Sequence, residues 1–137
     1  LINENLIVAP GQQVHFEPGR AIVAQCGHLI SRVLYVKVGQ KKKFAILDAG
    51  MNDLIRPALY QAHHAIENLT STSKRRMRYD VVGPVCESSD QFGKNIILPQ
   101  TSRGDLIALH TAGAYGQVMA MNYNQRDIAK AYYSDEL

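Results

Sequence analysis

Residues 29–47 read LISRVLYVKVGQKKKFAIL, two runs of apolar and β-branched residues separated by a polar segment. The first run extends from Leu29 to Val38 and closes at Gly39, and the second extends from Phe44 to Leu47. Two such runs around a polar, glycine-containing segment are typical of a β-hairpin, with the lysines at its tip. The stretch predicts a domain built mainly from antiparallel strands.

The second half of the chain repeats this pattern in shorter form. Apolar runs at residues 79–82, 95–98, 105–110 and 117–121 are separated by segments that contain glycine or proline. Short strands at near-regular spacing with such punctuation indicate an antiparallel, Greek-key-like β-barrel or sandwich. The predicted fold class is therefore mainly β, with a few short helices.

Helical signals are confined to three places. Asn52 and Asp53 are good N-caps for a short helix from Leu54 to about Ala62. Residues 21–24 read as a helical turn, and residues 125–133 as a final helix. We expect each of these to be a small addition to the sheet.

Composition indicates an ordinary globular domain. Apolar residues make up 46% of the chain and charged residues 20%, a balance that argues against disorder. No apolar run approaches the roughly 18 residues needed to cross a membrane. Two cysteines cannot build a disulfide framework and match no zinc pattern, so we expect a reduced, cytoplasmic protein without a metal site. The basic runs at residues 41–43 and 74–78 are too local to indicate nucleic-acid binding.

The first 20 residues read as the end of an earlier structural element. The chain starts with Leu1, and Val14–Phe16 reads as a short strand that a Pro-Gly turn must end. We therefore expect the chain to have been trimmed from a longer protein.

Three clusters contain residue types that a fold alone does not require. Glu17-Pro18-Gly19-Arg20 combines a glycine that lets the backbone approach an anion with a guanidinium that suits a carboxylate or phosphate. Residues 83–90, GPVCESSD, bring a thiol, two carboxylates and two hydroxyls into one loop, and residues 113–116, GAYG, place a tyrosine between glycines. Taken singly, each cluster also fits a structural interpretation: a turn with a surface arginine, a capped turn with a buried cysteine, and a turn with a packed ring.

Taken in order, these clusters resemble the diaminopimelate decarboxylase family. Residues 47–60, LDAGMNDLIRPALY, belong to the same resemblance, which spans about residues 14–124 and corresponds to the carboxy-terminal third of those enzymes. In the related ornithine and arginine decarboxylases the cysteine is typically followed by Asp and Gly. Here Cys86 is followed by Glu87 and Ser88, which is similar to the diaminopimelate version.

The resemblance implies a fold and a cofactor. These enzymes carry pyridoxal 5'-phosphate on a lysine of an α/β barrel, and a C-terminal β-domain completes the site. Residues 1–28 would be the end of that barrel, including its last strand, and residues 29–137 the β-domain. Because the barrel is missing, no lysine of this chain is given the cofactor role. The chain alone is expected to be inactive and to bind no cofactor.

The resemblance also implies a reaction and a cofactor-binding set. The enzymes remove CO2 from the D-configured centre of meso-2,6-diaminopimelate to give L-lysine, the last step of lysine biosynthesis. Glu17, Pro18, Gly19 and Arg20 would line the cofactor phosphate. Tyr115 would contact both cofactor and substrate.

The implied substrate set lies on two further motifs. Arg56 and Tyr60 are four residues apart, so they are expected on one helix face, where they would hold the distal end of the substrate. Arg20 would also reach a substrate carboxylate, and Glu87 would pair with the distal amine. Cys86 is the expected catalytic proton donor, because a thiol with a pKa near 8.5 is mostly protonated at neutral pH.

The family template implies a homodimer with shared active sites, because Cys86 and Glu87 would reach the site of the neighbouring subunit. Two other functions stay open. One is a decarboxylase of the same fold for a basic amino acid or carboxynorspermidine, in which Arg56 would have no distal carboxylate to bind. The other is a free-standing β-barrel binding module, whose gene would begin near Leu1.

The remaining cysteine and histidines are interpreted structurally. Cys26 is expected to be a small core residue. His63-His64 is expected to be half-buried and half-solvated at a helix end, and His28 and His110 to be packing residues on strands.

Overall fold

The computed structural model describes residues 7–136, and these contain six strands joined in one sheet. The strands are β1 (Leu29–Val38), β2 (Lys43–Leu47), β3 (Ile66–Asn68), β4 (Arg76–Val82), β5 (Gln91–Pro99) and β6 (Leu106–Leu109). The helices in this range are α1 (Arg20–Val23), α2 (Arg56–Tyr60) and the single 3-10 turns Ala24–Cys26, Gln117–Met119, Tyr123–Gln125 and Ser134–Glu136. The mainly β fold class with short helices is confirmed.

The sheet is curled into a nearly closed barrel. Its strand order is β3-β6-β1-β2-β4-β5, and every pair is antiparallel except β2 with β4. The two outer strands of this order lie against each other, since a Cβ placed on Gly93 in β5 would stand 3.2 Å from Ile66 Cδ1 in β3. Closure of this kind protects backbone edges from pairing with other chains.

The predicted hairpin is the centre of the barrel wall. In β1, Ser31 and Val33 are buried while their neighbours are exposed, and in β2 the buried positions are Ala45 and Leu47. Alternation with a period of two places one face of each strand in the core. The core cluster consists of Val33, Ala45, Leu47, Ala49, Leu54, Tyr79, Val81, Phe92, Leu98, Ile107 and Leu109.

Three predicted strands are confirmed as β4, β5 and β6, but two others are wrong. Residues 117–121 begin with a 3-10 turn instead of a strand, and Val118 is 79% exposed. A tight turn precedes them, in which Gly116 lies so close to Ala112 that a side chain there would collide with its carbonyl oxygen. Val14–Phe16 is irregular and exposed, because residues 7–136 offer it no strand to pair with. The short β3 was not predicted.

The helix predictions need similar corrections. The helical turn at residues 21–24 is confirmed as α1, but α2 covers only Arg56–Tyr60, and its N-cap is Ile55. Gln61 adopts a left-handed conformation (φ 53°) and ends α2. The predicted helix at residues 125–133 is wrong: Gln125 is left-handed (φ 57°), which excludes it from an α-helix, and residues 126–133 are irregular. No helix within residues 7–136 combines the length and apolar character that a membrane span requires.

The assignment of residues 1–28 to a barrel stays a prediction, as does the boundary at residue 29. Residues 1–6 of that segment lie outside the described range.

Candidate active site

Arg56 lies at the start of α2 between two aromatic rings. Its guanidinium carbon is 5.5 Å from the ring centroid of Tyr60 and 5.7 Å from that of Tyr115. The contact with Tyr60 confirms that the two residues share one helix face. The contact with Tyr115 joins two motifs that are far apart in sequence, and such cation–π geometry orients a guanidinium.

The Arg56 side chain is buried and positively charged. Arg56 is only 8% exposed, whereas the rings of Tyr60 and Tyr115 are about half exposed. Among residues 7–136 no carboxylate lies within ion-pair distance of Arg56. A buried charge is unfavourable unless it is paired, so this guanidinium is suited to an anionic ligand that enters between the tyrosines.

The turn before α2 fixes the start of this helix. The Asp53 carboxylate accepts a hydrogen bond from Gly50 N at 2.8 Å, and Asp53 N donates to Gly50 O at 2.9 Å. Asp53 therefore stabilises this turn and does not act as the predicted N-cap of the helix. Because Leu54 and Ile55 are both buried, the chain enters α2 in one orientation.

The loop that carries Tyr115 is strained and is packed against the segment after α1. Tyr115 has a left-handed backbone (φ 58°), which is uncommon for a non-glycine residue. Ala112 N donates to Gly27 O at 2.8 Å, and Gly113 N donates to Ala24 O at 3.0 Å. Glycine is required at position 113, since a Cβ would stand 2.2 Å from Val23 O. The predicted GAYG motif thus places Tyr115 beside the helix that begins at Arg20.

The Glu17–Arg20 motif is exposed at the start of α1. A Cβ added at Gly19 would meet no atom within 4 Å, so the backbone there is open to an approaching group. The Arg20 side chain is also exposed. This motif is therefore accessible to a ligand.

His64 is a buried residue near both arginines that the sequence did not mark as part of the site. It is 4% exposed, and its Nδ1 lies 2.9 Å from His110 O. Since a carbonyl oxygen only accepts, Nδ1 carries the proton, and Nε2 has no hydrogen-bond partner among the described residues. Burial lowers the pKa of His64, the hydrogen bond with His110 O acts in the opposite direction, and the charges of Arg56, His63 and Arg20 lower the pKa further. Both guanidiniums are therefore within electrostatic reach of this imidazole.

The lowered pKa of His64 predicts a signed pH dependence of folding. The unfolded chain takes up a proton at this histidine below about pH 6.5, whereas the folded chain does so only at lower pH. The free energy of unfolding should therefore fall as the pH drops from about 7 towards 5. In His64→Asn this fall in the free energy of unfolding should disappear, because the asparagine amide can donate to His110 O but does not titrate.

Urea unfolding of both proteins at several pH values measures this difference. The matched control is His15→Asn at an exposed position, which retains His64 and the charges around it and should retain the slope. An unchanged slope in His64→Asn would contradict the prediction.

A second group of predicted residues lies on the loop at residues 83–90. Asp90 is buried, and its carboxylate accepts hydrogen bonds from Met51 N and Val85 N, both at 2.7 Å. Burial raises the pKa of Asp90, and these two hydrogen bonds act in the opposite direction. Asp90 therefore ties the loop to the turn before α2, and this leaves Cys86 and Glu87 exposed at its tip.

The exposed tip of this loop meets the C-terminal segment. The Tyr123 hydroxyl donates a 2.7 Å hydrogen bond to Glu87 Oε1. Tyr123 was not among the predicted site residues, since nothing in its sequence surroundings distinguishes it from the other exposed tyrosines. No hydrogen bond, ion pair or cation–π contact within residues 7–136 links Cys86 or Glu87 to the group around Arg56.

The predictions for Cys26 and for four histidines are tested by the exposure and contacts of these residues. Cys26 is exposed, not part of the core as predicted, because it lies in a 3-10 turn on the surface, where its thiol donates to Val23 O. His64 is buried and His63 exposed, as expected. The rings of His28 and His110 pack edge to face at 4.8 Å, but both residues lie just outside the ends of β1 and β6, not on strands as predicted. The described residues contain no group of three or more metal-ligating side chains that could hold an ion.

Comparison with known proteins gives consistent similarities. Residues 21–113 match the sequence profile of the pyridoxal-dependent decarboxylase, C-terminal sheet domain. A diaminopimelate decarboxylase of Bacteroides thetaiotaomicron is 66% identical over 132 residues, which are 96% of this chain and 34% of that relative. The chain thus spans about a third of the length of the relative it matches.

Solved structures show the same partial coverage. The crystal structure of diaminopimelate decarboxylase from Helicobacter pylori complexed with L-lysine matches 82% of this chain and 28% of its own, with a TM-score of 0.74 and 52% identity. A lysine/ornithine decarboxylase from Vibrio vulnificus complexed with putrescine has a TM-score of 0.77 and 25% identity, covering 88% of this chain and 33% of its own.

Proposed function

Because this chain belongs to the pyridoxal-dependent decarboxylases, whose C-terminal sheet domain its residues 21–113 match, we propose that it is the β-domain of a diaminopimelate decarboxylase. The complete enzyme would remove CO2 from meso-2,6-diaminopimelate and release L-lysine. The chain alone would be inactive, because the cofactor-binding lysine belongs to the barrel. Its two unpaired thiols are consistent with the reducing cytoplasm.

The unpaired guanidinium of Arg56 is the observation that carries this proposal. Diaminopimelate has an amino acid group at each end, so its non-reacting end brings a carboxylate that a buried arginine can bind. Tyr60 and Tyr115 hold the guanidinium between their rings and leave its donors available. A substrate without a distal carboxylate would leave this buried charge unpaired, at a considerable cost in binding free energy.

The residues around α1 suit pyridoxal phosphate. The open backbone at Gly19 and the exposed Arg20 provide the close approach and the positive charge that a phosphate needs. Glu17 and Pro18 directly precede Gly19, and Tyr115 lies on the adjoining loop. When bound, the cofactor accepts the electrons that the departing CO2 leaves behind. The β-domain would orient the cofactor and the substrate relative to each other.

Cys86 and Glu87 would serve the active site of a second subunit in a homodimer. Both are exposed at the loop tip, and neither contacts the Arg56 group of the same chain. The Glu87 carboxylate would bind the distal ammonium of the substrate. The Cys86 thiol would give its proton to the carbon from which CO2 has left, so that a C–H bond replaces the lost carboxylate. One chain would thus contribute to two sites.

Assays of the complete enzyme with pyridoxal phosphate test this function. We expect CO2 release from meso-diaminopimelate with L-lysine as the product, and values of kcat/KM for ornithine and arginine at least about 100-fold lower. Equal values for ornithine or arginine would overturn the substrate assignment.

A lysine/ornithine decarboxylase is the second candidate, because a Vibrio vulnificus enzyme of that type shares the fold at 25% identity. The two candidates differ in what Arg56 binds. In the second candidate Arg56→Met should leave kcat/KM almost unchanged, since neither substrate has a distal carboxylate.

A further inference from the structure

Tyr123 contacts Glu87, one of the exposed residues at the tip of the 83–90 loop. Its hydroxyl donates a 2.7 Å hydrogen bond to Glu87 Oε1, and the pKa of Tyr123 is raised by this bond and by the negative charge of Glu87. Tyr123 therefore stays protonated as a hydrogen-bond donor at neutral pH. The Tyr123 and Glu87 side chains thus form a hydrogen-bonded pair at the loop tip.

The backbone around Tyr123 is held in place from two sides. Met121 N donates to Asn52 O at 2.9 Å, and the Arg126 guanidinium donates to Asp48 O. The amide of Asn122 donates to Arg126 O at 3.0 Å and closes the segment on itself. Tyr123 thus reaches Glu87 from a segment fixed to the turn before α2.

Without Tyr123, no other described residue would hold the Glu87 side chain in place by a hydrogen bond. Glu87 is exposed, and among the described residues its carboxylate accepts a hydrogen bond only from Tyr123. A free glutamate side chain loses rotamer entropy when it binds a ligand, and fixing it beforehand reduces that loss. A carboxylate has about four acceptor positions, so Oε2 remains available for a second donor while Oε1 accepts the phenol.

We propose that Tyr123 is a positioning residue that holds the Glu87 carboxylate ready for the distal ammonium group of the substrate. This inference rests on the proposed function and adds a residue to the same site. Tyr123 acts on binding through Glu87 and takes no part in the loss of CO2. Its removal should therefore change the affinity for any ligand with that ammonium group, including the product L-lysine.

Tyr123→Phe in the complete enzyme tests the inference. Loss of one hydrogen bond to a charged group should raise KM for meso-diaminopimelate about 5- to 10-fold, with kcat changed less than about 2-fold. The Kd for L-lysine, measured by calorimetry, should rise by the same factor. Tyr133→Phe is the matched control, since this exposed tyrosine makes no contact with Glu87, and it should behave as the wild type.

A double mutant separates positioning from a general effect on folding. In a Glu87→Gln background the further change Tyr123→Phe should weaken L-lysine binding less than about 2-fold, because the charged acceptor is already lost. Wild-type Kd and KM in Tyr123→Phe, or an undiminished effect in the Glu87→Gln background, would overturn the role of Tyr123. A wild-type enzyme that neither binds L-lysine nor decarboxylates meso-diaminopimelate would overturn the proposed function, and this inference with it.

Discussion

Arg56→Met is expected to lower kcat/KM of the complete enzyme for meso-diaminopimelate by about 10²- to 10³-fold, since removing one partner of a buried charge pair costs about 3–4 kcal/mol. The guanidinium is 8% exposed and lies between the Tyr60 and Tyr115 rings. Methionine keeps most of the side-chain volume but offers no donor to a carboxylate. The change should appear in steady-state kinetics mainly as a raised KM.

Folding should respond to Arg56→Met in the opposite direction. In the unliganded chain Arg56 is a buried charge without a carboxylate partner among residues 7–136. Replacing it with an apolar side chain should therefore raise the free energy of unfolding by about 1 kcal/mol. Urea unfolding of the 137-residue chain, with and without Arg56→Met, measures this change in the free energy of unfolding. Lower activity together with lower stability would contradict the assignment, because it would indicate a structural role.

Arg56→Lys is the control for the shape of the cation. Lysine keeps the charge but cannot bind a carboxylate through two parallel hydrogen bonds or stack on tyrosine rings in the same way. We expect it to recover only part of the loss. Full recovery would show that charge alone is sufficient at this position.

The sequence predicts those parts of the fold that depend on local pattern. Strand β1 has the predicted limits, Leu29–Val38, because apolar alternation and a glycine turn both determine it. Residues 117–121 contain a similar apolar run but begin with a 3-10 turn, since the tight turn before them leaves them at the protein surface. Parallel pairing of β2 with β4 depends on a long connection, and no local signal indicates it.

In the candidate site, too, some features follow from the local sequence, whereas others depend on tertiary packing. The shared face of Arg56 and Tyr60 follows from helical spacing, and the open backbone at Gly19 follows from residue type. Contact of Arg56 with Tyr115 requires the left-handed loop and the packing of Gly113 on Val23, which are tertiary features. His64 was assigned to a helix end by sequence, but its position depends on tertiary packing, since its Nδ1 donates to His110 O, just after β6.

Asp90→Ala is expected to destabilise the 137-residue chain by about 2–3 kcal/mol, because two backbone N–H groups would lose their acceptor inside the protein. These groups are Met51 N and Val85 N, each 2.7 Å from a carboxylate oxygen of the 3% exposed Asp90. Asp90→Asn should lose less, since its one amide oxygen still accepts from one of the two donors. Urea unfolding measures both changes.

The same carboxylate positions the loop that carries Cys86 and Glu87. Loss of Asp90 should therefore also lower decarboxylation by the complete enzyme at temperatures at which the variant remains folded. The exposed Ser88→Ala in the same loop is the matched control and should change stability by less than about 0.5 kcal/mol. If Asp90→Ala unfolded at the wild-type urea concentration, the two hydrogen bonds would not hold the loop, and the exposed tip would need another support.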